Sequence, residues 1–154
     1  MPKRVENEAE LGHLAESIGK LLKKGDVLAL RGDLGAGKTA FARALIRSLT
    51  SPDEDVPSPT FTLVQVYDLP QISLWHFDLY RLEEEEKDVL ELGWEEALRH
   101  GAALVEWPDR LGGLLPKDRL EINISFVKGS DTARDVSLSG FGSWPARLKG
   151  LKGM

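Results

Sequence analysis

"VLALRGDLGAGKTAFARALIRSL", residues 27–49, is the stretch on which the fold turns. Val27 to Leu30 form a short apolar run of the length of a buried strand, and Gly32, Gly35 and Gly37 then turn the chain. From Lys38 onward Phe41, Leu45 and Leu49 recur at four-residue steps, which is helical spacing. Between strand and helix, Gly32-Asp33-Leu34-Gly35-Ala36-Gly37-Lys38-Thr39 satisfies G-x-x-x-x-G-K-[ST], the phosphate-loop pattern.

The chemistry explains the spacing. Backbone N–H groups have to curl around a phosphate, and glycine allows that approach without a Cβ clash. The helix that follows turns its positive end to the same anion. Lys38 is therefore expected to reach the β- and γ-phosphates, and the Thr39 hydroxyl to hold Mg²⁺. A tight turn that merely fits the pattern is the competing account; the strand before and the helix after speak against it. A guanine-specific site would normally carry N-K-x-D, but neither Asn7 nor Asn123 precedes a lysine, so ATP is expected over GTP.

Outward from this loop, residues 8–24 place Leu11, Leu14, Ile18, Leu21 and Leu22 on one helical face and end in lysines before Gly25 and Asp26. "TSPDEDVPSPT" (50–60) is a proline-rich connector. "FTLVQVYD" (61–68) and "ISLWHFDLY" (72–80) read as strands split by a turn at 69–71. Residues 83–100 are acidic and helical in two pieces around Gly93, and "AALVEW" (102–107) is a buried strand stopped by Pro108. "RLEINISF" (119–126) and "ARDVSLSG" (133–140) alternate in period two, as an antiparallel pair does. The end, from about residue 142, reads as one helical turn before a frayed tail. The sum is an α/β fold, a three-layer sandwich of the P-loop NTPase type with a mixed, largely parallel central sheet, in one domain across residues 1–154.

Composition narrows the setting. With 42% hydrophobic and 29% charged residues the chain is not expected to be disordered. It has no cysteine, which excludes disulfides and thiolate metal sites. A net charge of −5 argues against gripping nucleic acid directly, though not against serving one that a partner holds. No apolar run approaches the ~20 residues of a membrane span, and "MPKRVENEAE" lacks a signal-peptide core, so a cytoplasmic setting is expected.

A phosphate loop needs carboxylates beside the metal, and strand C-termini supply them in open α/β folds. Asp78 closes "ISLWHFD" and Glu106 closes "AALVE". Glu106 is expected to help hold Mg²⁺, and Asp78 to orient the attacking water or the metal's hydration shell. The bland account of either is an acid marking the point where a strand meets solvent. Lys38, Asp78 and Glu106 thus form the candidate catalytic set, residues 32–39 the candidate nucleotide loop. Pro57 and Pro59 hold their neighbours extended and would present Thr60 reproducibly, unless the segment is only a connector. His76 shares a strand face with Asp78 and could tune it, or be a structural histidine. Arg81 is open to a phosphate, a partner or a plain salt bridge. The acidic run 83–86 suits a solvated helix start or a docking face for a basic partner.

"GDLGAGKT", "SPTFTLV", "HFDLYRL" and "LVEWP", in this order and spacing, resemble the TsaE family over roughly residues 5–127. That family comprises small P-loop ATPases needed for the threonylcarbamoyl-adenosine modification of bacterial tRNA. The resemblance implies weak ATP hydrolysis by the protein alone and action on two partners, TsaD and TsaB, whose complex carries out the transfer and is reset between turnovers. tRNA would be met only through that complex. The resemblance keeps Lys38 and Thr39 in their loop roles, puts Thr60 in a switch-like segment and lines the site with Asp78 and Glu106. Trp107 is also a family position near the site, and a buried aromatic accounts for it equally well. Phe61 and Gln65 depart from the tyrosine and glutamate usual in the family, so neither is given a catalytic role. Two other functions compete: a small-molecule kinase with Asp78 as base for a substrate hydroxyl, and a nucleotide-gated binding module. For the kinase, "DRLGGLLPKDR" lacks the clustered arginines of a phosphate lid.

Overall fold

The computed structural model describes residues 2–82 and 85–151. The chain runs β1 (Lys3–Val5), α1 (Glu8–Gly19), β2 (Val27–Arg31), α2 (Lys38–Leu49), β3 (Val64–Asp68), β4 (Ser73–Asp78), α3 (Glu85–Glu91), α4 (Trp94–His100) and β5 (Gly101–Glu106). A 3-10 stretch (Pro108–Leu114), β6 (Arg119–Phe126), β7 (Arg134–Phe141) and α5 (Trp144–Leu148) follow. The strands form one sheet in the order β1-β7-β6-β2-β5-β4-β3. Its centre, β6-β2-β5-β4, is parallel, while β3, β7 and β1 join antiparallel at the flanks. This is the mixed sheet expected from the sequence, with its parallel part confined to the middle.

Period-two alternation builds the two faces. Leu28 and Leu30 of β2, with Ala102 and Leu104 of β5, pack against α1 and α2. Val27, Ala103 and Val105 point the other way, into a second cluster with Phe77, Val89, Trp94 and Ala97 beneath α3 and α4. Three layers result, because β2 and β5 at the centre are buried and apolar on both sides, while β6 alternates.

Asn7 starts α1: its side chain accepts from the Glu10 N–H at 3.0 Å, and Glu10 Oε1 accepts in return from the Glu6 N–H at 3.1 Å. The helix stops at Gly19, earlier than the spacing of 8–24 implied, and Leu21 and Leu22 pack half-buried in the turn beyond it. β1 is an addition to the sequence reading; it pairs with β7 and buries Val5. The two helical pieces about Gly93 are α3 and α4, with Gly93 left-handed at φ 97°. Glu83 and Glu84 of the acidic run lie outside the described residues, as do 152–154 of the C-terminal segment.

As far as Leu151 that segment does not fray. Trp144 is fully buried in the core beside α1 and α2, and Leu151 is buried with it. Arg147 closes a fork on Asp26 at 2.6 and 2.9 Å and donates to the Leu21 carbonyl. The helical turn expected from about 142 is α5, and these long-range contacts hold the segment to the core as far as Leu151. Among the described residues no helix is long and apolar enough to cross a membrane.

Candidate nucleotide site

The loop of residues 32–39 joins β2 to α2 at the C-terminal rim of the parallel strands. Gly32 has φ +152°, and a Cβ there would stand 2.4 Å from the Ile124 carbonyl, so the loop can close only on glycine. Gly37 holds φ +122° immediately before α2. No side chain among the described residues caps this helix, which leaves its first N–H groups for an anion.

Lys38 is buried, at 4% exposure. Its Nζ donates to the Gly32 carbonyl at 2.6 Å and the Asp33 carbonyl at 3.0 Å, and lies 4.1 Å from the centre of the Trp107 ring. Burial lowers its pKa below the ordinary 10.5, against the opposing pull of Glu106, Asp78 and Asp33. Trp107 has a left-handed backbone, φ 61° and ψ 56°, and its ring also meets Tyr80 at 4.9 Å.

The β4–β5 register sets Asp78 directly opposite Glu106. Glu106 Oε1 accepts from the Thr39 hydroxyl at 2.8 Å. Asp78 Oδ2 accepts from the Thr60 hydroxyl at 3.1 Å, and its Oδ1 from the Tyr80 N–H at 3.1 Å. With that proton committed to Asp78, the 2.7 Å contact between Ser58 and Thr60 makes Ser58 the donor to Thr60. Lys38, Thr39, Thr60, Asp78 and Glu106 therefore meet in one cleft of about 270 Å³, with Leu34, Gly35, Gly37 and Trp107 also on its walls.

His76 is fully buried and turns to Glu106 rather than to Asp78: Nε2 lies 2.7 Å from Glu106 Oε2. A carboxylate oxygen only accepts, so the hydrogen sits on Nε2. Nδ1 is buried without a partner among the described residues. Arg81 is placed over the Phe61 ring at 4.9 Å, and Gln65 donates to the Thr62 hydroxyl at 3.2 Å.

Two further features carry no motif and were invisible to sequence reasoning. A second cavity of about 220 Å³ lies on the other side of the loop, shares Gly35, Gly37 and Ala40 with the first, and is walled by Asn7, Glu8, Asp131 and Arg134. Arg134, in turn, donates to the loop itself at Ala36.

A metal held here would not find a preformed cage. Among the described residues no group of three or more His, Asp or Glu could hold a metal alone. Mg²⁺ takes one or two protein oxygens together with phosphate oxygens and water. The Thr39 hydroxyl and Glu106 Oε1, adjacent at the start of α2, fit that donor set.

The profile of a family described as "Threonylcarbamoyl adenosine biosynthesis protein TsaE" matches residues 5–136. The tRNA threonylcarbamoyladenosine biosynthesis protein TsaE of Rickettsia felis is 40% identical over 121 residues, covering 79% of this chain and 70% of that protein. Its counterpart from Bacillus subtilis is 37% identical over 141 residues, covering 91% and 85%. A crystal structure of Bacillus subtilis YdiB superimposes with a TM-score of 0.77 at 29% identity, over 98% of this chain and 93% of that one. The chain belongs to the TsaE family.

Proposed function

We propose that this protein binds ATP with Mg²⁺, hydrolyses it slowly alone, and acts on a TsaD–TsaB-type complex during threonylcarbamoyl-adenosine modification of tRNA in the cytoplasm. The observation that carries the reading is the pair of carboxylates in register at the strand rim, each held by a threonine hydroxyl. Family membership supports the tRNA pathway.

Each residue then has a task. Lys38 turns from the Gly32 and Asp33 carbonyls to the β- and γ-phosphates, and its desolvated ammonium interacts strongly there. Thr39 and Glu106 hold Mg²⁺, and His76 fixes the Glu106 carboxylate from behind. When bound, the ion neutralises charge developing on the phosphate oxygens. Asp78, oriented by Thr60 and the Tyr80 N–H, aligns the attacking water.

Partner action is supported by the rim of the cleft, where Leu34 is 70% and Phe61 83% exposed. The kinase alternative loses support from one of the arginines that its lid would draw on. Arg119 begins β6, which runs parallel to β2, so it lies at the opposite edge of the sheet from Thr39, paired with Glu121 at 2.6 Å.

The test is phosphate release from ATP with and without a purified TsaD–TsaB pair. Slow release that rises severalfold with the pair is expected. No stimulation, together with no ATP- and Mg²⁺-dependent association in a pull-down, would remove the reading.

A further inference from the structure

Ala36 and Gly37 share the peptide at the centre of the loop, and Arg134 holds it from a strand 98 residues away. Its Nε donates to the Ala36 carbonyl at 2.8 Å. A terminal nitrogen of the same guanidinium donates to the Asp131 carbonyl at 3.1 Å and the Ala133 carbonyl at 2.7 Å. Phe126, the cross-strand partner of Arg134, lies against the guanidinium at 4.6 Å. The fork is thus fixed in place by its own turn before it reaches the loop.

The loop needs such a hold. Gly35 and Gly37 flank Ala36 at φ +81° and +122°, and nothing lies within 4 Å of where a Cβ on Gly35 would be. Glycines on both sides let the intervening peptide planes rotate with little steric resistance. In a planar trans peptide the carbonyl and the next N–H point in opposite directions. Fixing the Ala36 carbonyl toward Arg134 therefore directs the Gly37 N–H away from it, toward the cleft that contains Lys38 and Thr39. Backbone N–H groups of this loop pattern are the ones that receive phosphate.

We propose that Arg134 is a positioning residue for phosphate binding: it pins the Ala36–Gly37 peptide so that the Gly37 N–H faces the nucleotide's phosphates. This rests on the nucleotide reading above and adds to it a residue that touches no reacting atom. Arg134 acts on the ground state and the transition state alike, so its removal raises KM and leaves kcat in place.

Calorimetric titration of wild type, Arg134→Gln and Arg134→Lys with the Mg²⁺ complexes of ATP, ADP and tripolyphosphate tests this, alongside steady-state hydrolysis and thermal unfolding. Arg134→Gln is expected to weaken all three ligands by a common factor of about tenfold, with kcat held within about twofold. Arg134→Lys keeps the charge but loses the planar fork, and is expected to fall between the two. It also carries the comparison if Arg134→Gln is too unstable to assay. Full rescue by lysine would overturn the proposal, because charge alone would then suffice. A loss confined to ATP and ADP, with tripolyphosphate unchanged, would overturn it by assigning Arg134 to the nucleoside. Unchanged affinities with a lower unfolding temperature would reduce Arg134 to a strut of its turn. Wild type that binds none of the three would overturn the nucleotide reading and this proposal together, whereas wild-type binding matched by Arg134→Gln overturns this proposal alone.

Discussion

Asp78 and Glu106 stand opposite each other on β4 and β5, and each carboxylate is held by a threonine from a different segment. Thr39 belongs to the first turn of α2, and Thr60 to the connector that follows α2. The two acids can therefore be disturbed separately, one through the phosphate loop and one through the connector.

Glu106→Gln keeps an acceptor for Thr39 but removes the charge next to it. ATP affinity is expected to change little, while phosphate release falls by about a hundredfold. Parallel calorimetry and phosphate-release assays check this; equal losses in both would place Glu106 in binding alone.

His76→Gln and His76→Asn make a discriminating pair. The glutamine amide nitrogen falls near the place of Nε2 and can still donate to Glu106 Oε2, whereas that of asparagine falls near Nδ1. Hydrolysis is expected to survive in His76→Gln and to drop about tenfold in His76→Asn, at matched thermal stability. Equal loss in both variants would show that the ring's packing matters and its donor does not.

Lys38 gives stability a pH dependence of known sign. Its folded pKa is lowered from 10.5, so between that lowered value and 10.5 the unfolded chain binds more protons than the native one. Stability contributed at this position therefore rises with pH across that window. Lys38→Met should flatten the rise, read as the difference between the two proteins' unfolding free energies over an alkaline pH series.

Arg147→Met removes the fork that ties α5 to the start of β2 and leaves Asp26, itself only 7% exposed, without its cation. The expected loss is about 3 kcal/mol, measured by denaturant unfolding. A change below about 0.5 kcal/mol would mean that the pair behaves like a surface contact.

The parts of the fold legible in the sequence are those in which a local period and a local function coincide. The bounds of α2 follow from its apolar spacing and the glycines before it, and β4 and β5 from apolar runs ending in an acid. Lys38, Thr39, Asp78 and Glu106 converge because strand ends of a parallel sheet share one rim. Other features depend on register or on distant partners. His76 and Asp78 share a face, but His76 stands opposite Leu104 and its ring reaches diagonally across the strands to Glu106. Leu21 and Leu22 continue a helical period after the helix has ended. β1 is three residues long, too short to show a period at all. The burial of Trp144 and the Arg147–Asp26 fork, like the Arg134–Ala36 bond, are set by chain segments about a hundred residues apart, which no window of sequence reveals.

Trp107 carries a consequence for anyone redesigning this protein. Its left-handed backbone disfavours a side chain by about 1 kcal/mol, yet its ring packs on Tyr80 and the second core cluster, a gain larger than that cost. Exchange for glycine would relax the backbone and strip the aromatic cover from the Lys38 ammonium. One indole thus serves both the core and the phosphate loop, and no smaller residue there spares either.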